Sequence, residues 1–119
     1  MAKYIDGFVL PVAKDKVEEY RIFSETAGRV WKDHGALEYI ECVADDVKPG
    51  KQTSFPQAVD LQEGETVVFA WITYESREHR DKVLEAVMKD ERLAGMKPEA
   101  MPFDGKRLIF GGFKTLIEL

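Results

Sequence analysis

Cysteine is nearly absent. Cys42 stands alone among 119 residues, which excludes an internal disulfide framework. Histidine is almost as scarce: His34 and His79 fall in separate segments, without the spacing that puts metal ligands on one helix face. No metal and no cofactor is expected. No apolar run approaches the roughly 18 residues of a membrane span, so no membrane partner is expected either. The opening residues Met1–Asp6 reach an acidic side chain at once and lack the apolar stretch of a secretory signal, which points to the cytoplasm. Positive charge is not in excess, since 17 Lys and Arg against 22 Asp and Glu leave a net charge of −5. The nearest basic group, Arg77, Arg80 and Lys82, is broken by Glu78 and Asp81 and reads as a solvated helix face rather than a phosphate track. Nucleic acid is not expected as a partner. There is no glycine-rich phosphate loop, nucleophile elbow or CxxC pair.

What is present is a pattern of elements. Lys3 to Val12 reads as a strand with apolar side chains on both faces, ending near Pro11. Asp15 with Glu18 looks like a capping box. Behind it Val17, Tyr20, Phe23, Ala27, Val30 and Trp31 recur at helical steps until His34-Gly35 stops the helix. A second strand is expected from Leu37 to Asp46. The connection Asp46–Gly64 follows, with Ser54 placed to cap one helical turn. Its length fits either a binding loop or a hairpin extension over a core edge. Thr66–Tyr74 is rich in β-branched and aromatic residues and reads as the third strand. Ser76 opens a second helix with the stripe Val83, Leu84, Val87 and Met88. Asp90–Gly95 adds a turn, and Pro98 and Pro102 force an irregular stretch. Lys106–Leu119 is the fourth strand, where Gly111-Gly112 marks a bulge or a close backbone approach.

This order predicts one α+β domain over residues 1–119: a ferredoxin-like βαββαβ antiparallel sheet with both helices on one face. Two helices cover one face only, yet strands one and three are apolar on both. A bare second face would exceed the apolar patch that monomers tolerate. Burying roughly 800 Å² per partner outweighs typical association costs, so the chain is expected to pair with itself through the sheet.

Several words of the sequence carry a resemblance. They are Asp6-Gly7-Phe8-Val9-Leu10-Pro11-Val12, Ala36-Leu37-Glu38-Tyr39-Ile40-Glu41-Cys42, Thr53-Ser54-Phe55-Pro56, Ser76-Arg77-Glu78-His79-Arg80-Asp81, Met101-Pro102-Phe103-Asp104-Gly105 and Gly111-Gly112-Phe113. Together they resemble the YbaA-like bacterial family, a domain of unknown function in the dimeric α/β-barrel superfamily. The resemblance implies a homodimer with the sheets packed into a barrel-like core, and it brings no established activity with it. The wider superfamily includes cofactor-free monooxygenases and haem-degrading enzymes whose pockets lie between sheet and helices. None of their catalytic motifs has a counterpart here.

The candidate site residues are Trp31, Tyr39, Glu41 and Trp71, with His34 and His79 as further candidates. The aromatics suit a flat apolar ligand entering between the sheet and the first helix, gated by Ser54–Gly64, although aromatics at such spacings also build cores. Glu41 shares a strand face with Leu37, Tyr39 and Val43, the face assigned to the dimer, where a carboxylate needs a partner. Cys42, on the other face, is expected to be a packed core thiol. His34 suits the end of a helix, and His79 suits hydrogen bonding in a first turn. Two functions follow: binding of a small apolar or aromatic molecule, as a cofactor-independent enzyme if catalysis occurs at all, or a non-catalytic interaction or stress-related homodimer.

Overall fold

The computed structural model describes residues 3–94 and 100–119. Strands β1 (Tyr4–Ala13), β2 (Glu38–Val43), β3 (Glu65–Tyr74) and β4 (Ile109–Lys114) form one sheet in the order β2-β3-β1-β4, with every neighbouring pair antiparallel. The long helices are α1 (Val17–Asp33) and α3 (Arg77–Met88), and α2 (Phe55–Ala58) and α4 (Glu91–Ala94) are single turns. The two strands that are apolar on both faces, β1 and β3, take the central positions, where each is flanked by two partners.

Local chemistry sets most of the boundaries. Ser76 Oγ accepts from the His79 N–H at 3.1 Å, and Ser54 Oγ from the Gln57 N–H at 3.2 Å, so both serines cap as expected. The end of α1 is a Schellman motif. Ala36 N–H donates to the Trp31 carbonyl and Gly35 N–H to the Lys32 carbonyl, while Gly35 takes φ of +114°. The start of α1 departs from expectation. Lys14–Lys16 form a 3-10 turn, and no side-chain cap bond is made, so Asp15 and Glu18 do not build a capping box.

The edge strands are shorter than the sequence pattern suggested. β2 spans Glu38–Val43 rather than Leu37–Asp46. β4 begins only at Ile109, because Asp104 Oδ1 accepts from the Lys106 N–H and turns Gly105–Arg107 into a 3-10 turn. It ends at Lys114 because its antiparallel partner β1 begins at Tyr4, opposite that residue. Leu116 and Ile117 beyond it are exposed. The glycines of β4 are paired one-to-one with β1, Gly111 opposite Gly7 and Gly112 opposite Asp6, so there is no bulge. They meet the other expectation, close approach: a Cβ at Gly112 would collide with the Tyr4 hydroxyl and Arg80 Nη2. The turn expected over Asp90–Gly95 is present as α4; Gly95 and Pro98 lie outside the described residues.

The helix-side layer is divided. One buried cluster joins Val30, Ile72, Tyr74, Val83 and Val87, and a second joins Leu10, Val12, Tyr20 and Val68. On the opposite face the cross-strand rows are Cys42, Phe69, Val9 and Ile109, then Ile40, Trp71, Gly7 and Gly111. Phe69, Ile109 and Phe113 remain 42%, 45% and 65% exposed there. The connection 46–64 belongs to this second face, where Phe55 meets Phe69 edge-on with ring centres 5.7 Å apart.

Candidate functional site

Between the two buried clusters lies a cavity of about 380 Å³, within the range of small-molecule sites. The sheet contributes Phe8, Leu10, Tyr39, Glu41, Ala70 and Ile72; α1 contributes Tyr20, Phe23, Ser24, Ala27 and Trp31. Met88, Leu93, Met101 and Phe103 complete it. Phe103 is fixed by edge contact with Tyr20 at 5.8 Å and by packing on Phe23 at 5.9 Å. Its loop is anchored by Arg107, whose guanidinium donates to both Glu65 oxygens at 2.8 and 2.7 Å and to Asp104 at 2.9 Å. Those contacts hold the Glu65 and Asp104 carboxyls below their usual range.

The polar centre of the cavity is Glu41. The Tyr20 hydroxyl donates to its Oε1, and the Tyr39 hydroxyl donates to its Oε2 at 2.7 Å. Burial, reinforced by the Glu41 charge, pushes both phenols well above their ordinary value, so they stay protonated as donors. Ser24, one helical turn from Tyr20, buries its hydroxyl without a well-formed hydrogen bond. Tyr20, Ser24, Tyr39 and Glu41 also border a second groove outside α1, which adds Arg21, Arg29 and Lys32. The tyrosine–carboxylate bar therefore stands between the inner cavity and this outer groove.

The face assigned to Glu41 from the sequence is corrected by these contacts. Tyr39 and Glu41 point under α1, away from the second face of the sheet, and Cys42 is exposed on that second face instead of packed in the core. Two phenols supply the partners that a carboxylate under a helix needs.

Of the six candidate residues, Trp31, Tyr39 and Glu41 come together at the cavity. Trp71 lies on the opposite face, edge-on to Phe69 at 5.8 Å. His34 Nε2 contacts Asp90 Oδ2 at 2.8 Å, joining the end of α1 to the approach to α4. Arg92, with this histidine, holds the Asp90 carboxyl well below its usual range. His79 Nδ1 accepts from the Glu75 N–H at 3.0 Å, and its ring meets Tyr74 edge-on. None of these three lines the cavity, and neither does any residue of the connection expected to gate it. Sequence reasoning passed over Tyr20 and Ser24. Their signal was a serine inside the α1 stripe Tyr20, Ala27 and Trp31.

Gly28 sets the position of Tyr39. A Cβ there would lie 2.7 Å from Tyr39 Cδ1. Gly28→Ala, ordinarily favourable in a helix, is therefore expected to destabilise by about 1–3 kcal/mol through overpacking. Chemical denaturation checks the sign.

Residues 3–105 match the family described as "Protein of unknown function (DUF1428)". The chain belongs to this family. Over 116 residues it is 47% identical to the uncharacterized protein YbaA of Escherichia coli (strain K12), covering 98% of each chain. The YbaA protein of Shigella flexneri matches to the same extent. Among solved structures, a dimeric ferredoxin-like protein from an uncultured marine organism matches with a TM-score of 0.62 and 11% identity, covering 100% of both chains. The DUF1428 chain thus has the α+β, ferredoxin-like fold that its element order predicted. Among its described residues no helix is long and apolar enough to cross a membrane.

Proposed function

We propose that this DUF1428 chain is a homodimeric binding protein for a small apolar or aromatic molecule held between the sheet and α1. The observation that carries the reading is the cavity itself: apolar and aromatic walls around one polar centre, the Tyr20–Glu41–Tyr39 cluster. Such a composition gives affinity through apolar burial and orientation through a few polar groups. Pairing is supported by the uncovered sheet face with Phe69, Ile109 and Phe113 exposed. The marine ferredoxin-like relative, itself described as dimeric, supports it too.

A thermal-shift screen of flat apolar compounds tests the ligand reading. Binding at a hundred times Kd stabilises by about 2.7 kcal/mol, a readily measured rise in midpoint. Ala27→Phe, which projects a ring from α1 into the cavity, is expected to abolish that rise while leaving a cooperative transition. A rise retained in Ala27→Phe places binding elsewhere. No rise across the screen, in a protein that still sediments as a dimer, leaves the interaction-module reading. The exposed Leu116 and Ile117 at the end of β4 favour that alternative.

A further inference from the structure

We propose that the cavity selects ligands bearing a cationic amine, with Glu41 as counter-ion, an inference that rests on the cavity being a ligand site. Glu41 is the one charged side chain among the described residues that line it. An ionised carboxylate offers about four acceptor positions, and the phenols of Tyr20 and Tyr39 occupy one on each oxygen. The remaining lone pairs call for a donor, and among the described residues no lining side chain supplies a cation.

Ser24 provides an independent observation. Its hydroxyl is buried, with the residue 7% exposed, lines the same cavity and makes no well-formed hydrogen bond, having the Tyr20 hydroxyl beside it. An orphaned buried hydroxyl is costly unless a ligand meets it. A protonated amine has three N–H donors, enough to reach Glu41 and Ser24 together. The surrounding rings of Tyr20, Phe23, Trp31, Tyr39 and Phe103 add negative π-faces that favour a cation.

An anionic ligand meets the opposite field. The basic residues nearby line the outer groove and are engaged there: Arg21 by Glu18 and Glu25, Arg29 by Glu25, and Lys32 by the Leu37 carbonyl. A carboxylate inside the cavity would face Glu41 with no compensating charge among the described lining residues, whereas a neutral hydrocarbon would gain burial alone.

Titration calorimetry with naphthylmethylamine, methylnaphthalene and naphthoate, one skeleton in three charge states, tests this. The amine is expected to bind at least about tenfold more tightly than the hydrocarbon, the gain of a charge-assisted hydrogen bond in a desolvated site, and naphthoate most weakly. Glu41→Gln should erase the preference for the amine over methylnaphthalene. Ser24→Ala should weaken the amine a few-fold only. Equal affinities for the three compounds, or an amine preference that survives Glu41→Gln, overturn the proposal while the ligand site stands. Binding of none of them overturns the site and the proposal together. If Glu41→Gln loses its cooperative unfolding transition, the ranking on the native protein and Ser24→Ala decide.

Discussion

Arg80→Met is expected to lower stability by about 3 kcal/mol at neutral pH, the usual cost of removing one partner of a buried ion pair. Asp6 lies on β1 and is only 5% exposed; its Oδ1 is 3.5 Å from Arg80 Nη1. Arg80 itself is held over the Tyr4 ring at 5.0 Å and donates to the Tyr4 hydroxyl at 3.1 Å. Burial raises the Asp6 carboxyl above its ordinary 3.8, and the Arg80 charge opposes that rise. Without Arg80 the rise is larger. A raised carboxyl makes the folded state bind its proton more tightly than the unfolded state does. Its contribution is therefore full below about 3.8 and is lost as pH climbs through the folded value. The deficit of Arg80→Met should accordingly be smallest near pH 4 and grow toward neutrality. Adding Asp6→Asn should recover most of it. Urea unfolding at several pH values measures both effects. A deficit that is flat with pH and persists in the double variant would mean that Arg80 acts through packing on Tyr4 instead.

Asp at both Phe69 and Phe113 is expected to weaken self-association at least about a hundredfold, because two desolvated carboxylates would be placed at the centre of the paired sheets. Both rings are substantially exposed in the single chain, at 42% and 65%, although Phe69 also loses its edge contacts with Phe55 and Trp71. Sedimentation at micromolar concentration should show the native chain at twice its 13.6 kDa mass and the variant at once that mass, with unchanged far-ultraviolet circular dichroism. A native chain that sediments as a monomer refutes the pairing, and a variant that remains a dimer moves the interface off this face. Phe113 is the more informative of the two. Its ring reaches over Gly7 and Gly111, the paired glycines that leave a notch in the middle of that face.

The elements that were readable share a physical basis: each is set by neighbours close in sequence. Ser76 and Ser54 accept from N–H groups three residues on, and Gly35 supplies a left-handed φ two residues past the helix. The apolar doubling of Lys3–Val12 and Thr66–Tyr74 marked both as strands, and the structure gives them the central places in the sheet. The ends of β4 were harder to read. Its start depends on Asp104 capturing the Lys106 N–H, and its end on where the partner strand β1 begins. Part of the candidate site was legible as well. Trp31, Tyr39 and Glu41 do meet, while Trp71, His34 and His79 lie elsewhere in the fold.

The face of β2 was beyond local reasoning. Alternation shows that Tyr39 and Glu41 share one side and Ile40 and Cys42 the other, but both sets mix apolar and polar groups, so parity alone does not say which side is covered. The helix settles it. Gly28 leaves room for the Tyr39 ring, and Tyr20 brings a phenol to Glu41 from 21 residues away. From the sequence came the element order and a sheet with too much apolar surface for two helices to cover. Tertiary structure alone decided that Glu41 of β2 lies beneath α1 and that Cys42 lies on the opposite face. Burying a carboxylate depends on partners that only the folded chain brings within reach.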